Sequence, residues 1–307
     1  MSMVCKMKRD IQTKNDLELH GILKSSPLED LTILKKVENI LTKKRGYVFK
    51  IPSKNTPVIS FMSGGLDSTV VTAMLMEKYK LEVFPIFFNR HLIHSRYDRV
   101  SVDFFTQFFF ERYGSLFHKP IEIDIEYPPK GLAEYLLPNS GHIFLNKKLN
   151  HRRGIPGLIS IYAQLAVLYA FYLKEQKSIN VKTIIGATLP TNIDWFSYES
   201  LTTHRTINLE ICTSLKDFSW QFTSLPIEKE MGLHLKKRDL IRWGFENNIP
   251  LEKTRTCNSG HKFHCGTCDV CEVRKEEFQL AEVEDKTAYH PPNEFLNKVV
   301  EKIKKLI

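Results

Sequence analysis

The stretch Ser63-Gly64-Gly65-Leu66-Asp67-Ser68-Thr69 restricts this chain more than any other. The residues before it, Val58 to Met62, are apolar, follow Pro57 and are too few for a helix, so they read as a short buried strand. After it, Val70, Val71, Met74, Leu75 and Tyr79 recur at helical spacing to about Lys80. A strand, a glycine-rich turn and a helix start therefore meet within a dozen positions. Gly64 and Gly65 let backbone approach a ligand closely and tolerate positive φ. The amides of the helix's first turn, at its positive dipole end, point into that turn, and Ser68 and Thr69 add hydroxyls. The arrangement is a phosphate cradle, and not of the Walker kind, because no Gly-x4-Gly-Lys-Ser/Thr occurs. Asp67 would be repelled by phosphates unless a cation lay between, which points to Mg2+ bridging a polyphosphate.

Size and charge set outer limits. A chain of 307 residues builds one large domain or two smaller ones with an ample core. The formal charge of +9 favours an anionic partner such as ATP, a nucleic acid or an acidic protein surface, although the lysines are scattered and fit a general surface bias equally well. Met1 to Asp10 is polar and basic, without the apolar core of a signal peptide. The apolar run Leu158–Leu173 is broken by Ser160 and Gln164 and is shorter than the roughly 20 residues of a membrane span, so it reads as a buried helix. A cytoplasmic location is the expectation.

Along the chain, residues 1–56 read as an N-terminal extension. Leu28, Leu31, Leu34, Val37, Ile40 and Leu41 form a helical stripe opened by Ser26-Pro27 and closed near Gly46, and Tyr47–Ile51 reads as a strand. The extension either packs on the core or docks a partner protein. From residue 57 to 250 strands alternate with helices: a strand at Val83–Phe88, a helix through Tyr97, Val100, Phe104, Phe108 and Glu111, and a half-buried strand at Ile121, Ile123 and Ile125. Phe104 to Phe110 crowd aromatics that read as core rather than as a base-stacking platform. A long loop, 126–155, ends in Lys147, Lys148, His151, Arg152 and Arg153. Pro156-Gly157 opens the apolar helix to about Gln176, and Val181–Gly186 is another buried strand. The loop Ala187–Thr203 carries Asp194, Trp195, Tyr198 and Glu199, and helical patterns resume at His204–Phe218 and Lys236–Asn247. The fold class is α/β, an open, mostly parallel twisted sheet with helices on both faces. In such sheets ligands sit beyond the carboxyl ends of the strands, so the turn after Met62 and the loop after Gly186 are expected to face one cleft.

Of six cysteines, Cys257, Cys265, Cys268 and Cys271 crowd together, with seven, two and two residues between them. That spacing suits a tetrahedral zinc site in a C-terminal segment, residues 251–307, in a reducing compartment. Four thiolates leave no open position and imply a structural role, with an iron–sulfur cluster as the rival, and His261 or His264 as an alternative for one ligand.

The glycine-rich run after an apolar strand resembles the loop of the PP-loop ATP pyrophosphatases, which split ATP between its α and β phosphates and adenylate a substrate. In combination with Thr254-x-Thr256-Cys257 and His264-Cys265-Gly266-x-Cys268-x2-Cys271 it resembles, over about residues 57–285, the 7-cyano-7-deazaguanine synthases of queuosine biosynthesis. Ile155-Pro156-Gly157, Ile184-Ile185-Gly186 and Leu235-Lys236 before Asp239 fall where that family has similar runs. The resemblance implies an adenine nucleotide alpha hydrolase-like fold, Zn2+ on the four cysteines, and an ATP-dependent ligase forming C–N bonds. It adenylates 7-carboxy-7-deazaguanine, admits ammonia to give an amide, and dehydrates that amide to the nitrile with a second ATP. It places ATP against Met62, Ser63, Gly64, Gly65, Leu66, Asp67, Ser68, Thr69 and Gly186, with Asp67, Ser63 and Ser68 as catalytic residues. It places the deazapurine against Asp194, Trp195, Tyr198 and Glu199. The chain departs from the family where Arg-Asn after Pro-Gly is here Leu158-Ile159, and where a Tyr-Pro-Asp-Cys-Arg run is echoed only by Asp194-Trp195-x2-Tyr198-Glu199. Some relatives of this kind serve antiviral defence, where the activated deazapurine would be joined to an amine of a protein or nucleic acid. A tRNA-modifying thiolase or ligase and a non-catalytic ATP-binding adaptor are the remaining readings, and a homodimer is compatible with all of them.

Overall fold

The strand before the glycine-rich turn, β1 (Pro57–Phe61), lies at the centre of a five-stranded sheet, and Val58, Ile59 and Ser60 are all buried. A strand covered on both faces has no polar side, which is why its sequence reads as an unbroken apolar run rather than an alternation. The computed structural model describes residues 29–127, 129, 145–146, 151–152, 157–189, 200–231 and 234–290. Its other strands are β2 (Glu82–Asn89), β3 (Ile121–Asp124), β4 (Leu145–Asn146), β5 (His151–Arg152), β6 (Thr183–Gly186) and β7 (Gln221–Ser224). The helices are α1 (Leu31–Arg45), α2 (Leu66–Glu77), α3 (Ser95–Tyr113), α4 (Leu158–Lys177), α5 (Leu201–Ser214), α6 (Lys237–Glu246) and α7 (Asp269–Ala281).

The main sheet runs β3-β2-β1-β6-β7 with every neighbouring pair parallel, and β4 and β5 form a separate antiparallel pair. From β1 the chain steps outward through β2 to β3, then returns to the other side of β1 for β6 and β7. The reversal leaves a crevice at the carboxyl ends of β1 and β6, where open α/β sheets take their ligands. Strand periodicity divides the core in two. Val58, Val83, Phe87 and Ile185 face one way and pack with α2, α3, α6 and α7 through Val70, Met74, Phe105, Phe109, Leu240 and Phe278. Ile59, Phe84, Ile86, Ile184 and Phe222 face the other way and meet α1, α4 and α5 through Leu41, Ala166, Ala170 and Ile211. The phenylalanine-rich helix α3 accordingly buries Phe105 and Phe109, while Phe104 and Phe110 remain exposed.

Helix α1 starts later than Ser26-Pro27 implied, because Asp30 caps it by accepting from the Ile33 amide at 2.9 Å; its end at Gly46, in the left-handed region, is where the sequence places it. It packs on α5. Glu29, just before it, accepts from the Leu201 and Thr202 amides at 2.6 and 2.9 Å and so caps α5 with a carboxylate. At the far end, Arg45 donates to the Trp220 and Phe218 carbonyls and to Asn208 Oδ1.

Other expectations differ from the structure as well, and β4 and β5 pair within the stretch 126–155 that reads as a loop. Tyr47–Ile51 is not a strand; Phe49 is buried, and the Lys50 amide donates to the Gln221 side chain instead of a ladder. The helix expected at His204–Phe218 begins at Leu201 and ends at Ser214, because Ser200 caps it by accepting from the Thr203 amide. Strand β7 was not foreseen. Its sequence, Gln-Phe-Thr-Ser, is mostly polar, yet all four residues are buried, with Gln221 donating to the Lys50 carbonyl and Ser224 to the Thr188 carbonyl.

Beneath α5 lies a buried ion pair. Arg205 donates to both oxygens of Glu228 at 2.8 and 2.7 Å and to Glu38 of α1 at 3.2 Å. Burial pushes the Glu228 carboxyl up, but the Arg205 charge outweighs it and holds the pKa below the usual range. Arg205→Met leaves Glu228 buried without its partner and is expected to lower stability in urea unfolding by about 3–5 kcal/mol. The neighbouring His204 is fully buried, bonds the Ser200 carbonyl through Nδ1 at 2.9 Å and stacks on Phe222. Burial pushes its pKa from 6.5 down to about 4. The unfolded chain therefore binds the proton first, so stability is complete above pH 6.5 and is lost as pH falls toward 4, a contribution on the order of 3 kcal/mol. His204→Phe keeps the stack and is expected to flatten the pH dependence of unfolding free energy across that window.

Candidate functional site

The turn after β1 is held by its own hydroxyls. Ser63 and Ser68 Oγ atoms lie 2.9 Å apart, the Ser63 amide donates to Ser68 Oγ at 3.1 Å, and the Gly65 amide donates to Ser63 Oγ at 3.3 Å. Gly65 occupies the N-cap of α2 and supplies no side-chain cap, which leaves the helix's first turn open at its positive end. The two glycines do different work. Gly64 has φ +75°, and a Cβ there would lie 2.7 Å from the Asp98 carbonyl oxygen and 3.0 Å from Ser101 Cβ. Its freedom serves a close approach to α3 rather than to a ligand. Gly65 has ordinary extended backbone, φ −72°, and a Cβ there would meet the Ser63 hydroxyl at 3.1 Å.

A cleft of about 290 Å³ opens above this turn. Met62, Ser63, Gly65, Asp67 and Ser68 form one wall, and Ala187 and Thr188, just past the end of β6, face them. The expectation that the turn after β1 and the start of the loop after Gly186 share a cleft is met. Gly64, Leu66, Thr69 and Gly186 do not line it. Gly64 faces α3, Leu66 and Thr69 are buried in the core, and Gly186 sits inside the sheet with its Cα toward Phe61 and Ser224. Their part is to shape the backbone. The far wall is apolar and aromatic: Phe88 and Tyr162 stack with centroids 4.1 Å apart at 5°, beside Leu158 and Ile159. Asp194, Trp195, Tyr198 and Glu199 lie outside the described residues, as do Lys147, Lys148 and Arg153 of the basic run.

One residue at this site was missed by sequence reasoning. Lys237, the first residue of α6, places Nζ 3.1 Å from Asp67 Oδ2, both side chains being largely buried. Asp67 Oδ1 is buried and has no hydrogen-bond partner among the described residues. An ammonium and a half-paired carboxylate thus meet at the positive end of α2. An orphaned carboxylate oxygen beside a phosphate cradle suits a hard divalent cation, so the donor set fits Mg2+. The available signal was a lysine at the start of a helical pattern, which is too common to single out.

The four cysteines converge. The sulfurs of Cys257, Cys265, Cys268 and Cys271 all lie within 4.8 Å of one another, with 3.9 Å between Cys257 and Cys268 and 4.0 Å between Cys265 and Cys271. Four ligands about 2.3 Å from a tetrahedral zinc ion stand about 3.8 Å apart. The set therefore fits one tetrahedral ion. Amides of Cys265 and Ser259 donate to Cys257 Sγ, and that of Cys268 donates to Cys265 Sγ, which steadies thiolate charge. Gly266, at φ +73°, turns the chain between Cys265 and Cys268. His264 is not a ligand: its Nε2 accepts from the Thr256 amide at 3.0 Å, and burial with Arg274 and Arg255 nearby pushes its pKa down to about 3. His261 lies outside the converging set. Arg274 of α7 ties the lobe to the core, donating to Thr254, Thr256 and the Leu251 carbonyl at 2.9 Å each.

Residues 217–282, which hold Lys237 and all four cysteines, match the family model described as "Queuosine biosynthesis protein QueC". The 7-cyano-7-deazaguanine synthase of Prochlorococcus marinus subsp. pastoris is 26% identical over 74% of this chain and 95% of its own length. That of Thermoplasma volcanium is 26% identical over 81% of this chain and 97% of its own length. Among solved structures, the U34-tRNA thiolase NcsA from Methanococcus maripaludis aligns at 14% identity over 84% of this chain and 91% of its own, but with a TM-score of 0.30 that alignment carries no argument. The resemblance to 7-cyano-7-deazaguanine synthases seen in the motifs therefore extends over most of the chain. Among the described residues no helix is long and apolar enough to cross a membrane.

The two glycines of the turn should respond unequally to a methyl group. Gly64→Ala strains both φ and the contact with α3 and is expected to lower stability by about 1–3 kcal/mol. Gly65→Ala meets only a rotatable hydroxyl and is expected to cost under about 1 kcal/mol, both read from urea unfolding of the purified variants.

Proposed function

We propose that this chain is an ATP-dependent enzyme of the 7-cyano-7-deazaguanine synthase kind, which adenylates a carboxylate so that an amine can displace AMP. The acid is 7-carboxy-7-deazaguanine and the amine is ammonia. A carboxylate oxygen attacks the α phosphorus of ATP and pyrophosphate leaves. The amine nitrogen then attacks the acyl carbon, and the C–O bond to AMP breaks with loss of a proton. The amide oxygen then attacks the α phosphorus of a second ATP and pyrophosphate leaves; the C–O bond breaks, AMP departs with that oxygen, and loss of two protons from nitrogen leaves the nitrile.

The observation that carries this reading is the pairing of Asp67 with Lys237 at the open N-terminus of α2, at the bottom of the crevice between β1 and β6. The turn's amides and the Lys237 ammonium would hold the leaving pyrophosphate, the group whose charge grows in the transition state. Asp67 would hold Mg2+ against the same phosphates; bound there, the ion neutralises charge and orients the in-line displacement. Ser63 and Ser68 keep the turn's shape and offer hydroxyls once phosphate displaces their mutual bond. The apolar wall of Phe88, Tyr162, Leu158 and Ile159 would sandwich planar rings and keep water from a mixed anhydride. Asp194, Trp195, Tyr198 and Glu199 are assigned to the deazapurine on the motif resemblance alone. Zn2+ on the four cysteines, with no open position, is a structural ion.

One observation favours a second reading of the product. Leu158 and Ile159, which stand where the synthases carry Arg-Asn, line the cleft itself. A pocket changed there is suited to a different second step, in which the activated deazapurine is joined to an amine other than ammonia, on a protein or nucleic acid.

Incubation of the protein with ATP, Mg2+ and 7-carboxy-7-deazaguanine, with and without ammonia, is expected to release pyrophosphate, with the nucleobase products read by mass spectrometry. Asp67→Ala and Lys237→Ala are each expected to lower the rate about 10²–10³-fold without unfolding the chain. A wild-type protein that binds ATP yet releases no pyrophosphate with this acid would make the chain an adaptor, or an enzyme for another acid.

A further inference from the structure

The phosphate-binding turn is not braced by the sheet alone. The carbonyl of Gly64 accepts two hydrogen bonds, from the Ser101 hydroxyl and from the Arg255 amide, each at 2.8 Å. The single proton of that hydroxyl is shared with the Lys253 carbonyl, also 2.8 Å away. The carbonyl oxygen of Arg255 lies 3.5 Å from where a Cβ on Gly65 would stand. Residues 253–255, which lead directly into Cys257, therefore lie along the back of the turn.

The Arg255 side chain points the other way. It is buried, and its guanidinium donates to the carbonyls of Ser259 at 2.8 Å, His261 at 3.0 Å and Lys262 at 3.3 Å, with the Tyr97 ring 5.2 Å from its centre. Those three carbonyls belong to the loop between Cys257 and Cys265, which has no helix or strand before the isolated bridge at His264. Such a loop takes its shape from what fixes its ends and what fills its middle. The ends are the two cysteines, and the middle is this guanidinium, whose planar fork suits several carbonyls at once. One residue thus grips the loop through its side chain and the phosphate turn through its backbone.

We propose that Arg255 is a positioning residue, which carries the shape of the Cys257–Cys265 loop to the turn at Gly64–Gly65, so that metal bound by the four cysteines tightens nucleotide binding in the cleft. The inference rests on the proposed reading of the cleft as a nucleotide site. By linkage the coupling is reciprocal: nucleotide tightens metal by the same factor that metal tightens nucleotide, and couplings of this kind run about 5–150-fold. Lysine at this position reaches fewer carbonyls and keeps part of the effect.

The test uses the full chain loaded with zinc, and α,β-methylene-ATP as the probe, with binding followed by calorimetry and backbone exchange of residues 62–69 followed by hydrogen–deuterium mass spectrometry. Arg255→Ala is expected to retain one metal ion per chain, to bind the probe about tenfold more weakly and to exchange faster at 62–69, with Arg255→Lys intermediate. In turnover the KM for ATP rises while kcat and the KM for the acid stay near wild type. Removing the metal from the wild-type protein with a chelator gives the same two changes. Arg96→Ala, which frees the Gly260 carbonyl of the same loop but touches no part of the turn, is expected to behave as wild type. Unchanged affinity and exchange in metal-loaded Arg255→Ala, or equal losses in Arg96→Ala, would overturn the proposal. Should Arg255→Ala fail to fold, the comparison of Arg255→Lys with Arg96→Ala decides in the same way. A wild-type protein that binds no nucleotide at all would instead refute the reading of the cleft, and the exchange rates at 62–69 would still decide the role of Arg255.

Discussion

Parallel pairing of β1 with strands on both of its sides is the constraint from which the rest of this molecule follows. β1 pairs with β2 from Pro57 opposite Glu82 to Phe61 opposite Ile86, and with β6 through Ile59 opposite Ile184. The ladder continues one residue past the strand, where the Met62 amide donates to the Ile86 carbonyl at 2.9 Å. Because parallel pairing fixes direction, the carboxyl ends of β1, β2 and β6 come to one edge, and the glycine-rich turn can open nowhere else. The cleft, the exposed helix N-terminus and the meeting of Asp67 with Lys237 are consequences of that edge.

What lies on the other side of the turn is equally determined. A residue at Gly64 with a side chain would collide with the backbone of α3, and the carbonyl there is shared by Ser101 and Arg255. The turn is thus confined between a helix and the lobe that carries the cysteines. A loop confined in this way is pre-organised, so less ordering would remain to be done by a ligand that binds its amides.

The sequence made the strand, turn and helix at 57–77 legible because each obeys a local rule: an unbroken apolar run, glycines, then apolar residues at helical period. Helix α1 was legible in its apolar stripe and its end at Gly46, whereas its start at Asp30 was not. The cysteines were legible because a soft metal needs several thiols and their spacing is short. Strand β7 was not, since its polar Gln221 and Ser224 side chains are satisfied by residues 36 to 171 positions away, and no local pattern encodes such partners. The ion pair of Asp67 with Lys237, and the bond from Arg255 to Gly64, escaped for the same reason. Both joins are made only when the sheet edge assembles, and they are the contacts that turn a common strand–turn–helix into a particular site.

The docking of α1 bears on how the chain is made. Glu29 must find Leu201 and Thr202, and Arg45 must find Phe218 and Trp220, up to 175 residues later. At 5–20 residues per second the wait is roughly 10–30 s. Throughout that interval Val37 and Leu41 can meet β1 and β2, but Leu34, which packs with Leu201, has no cover, and an amphipathic helix of 15 residues is marginal alone in water. The nascent chain therefore keeps an uncovered apolar face on α1 until α5 has been made.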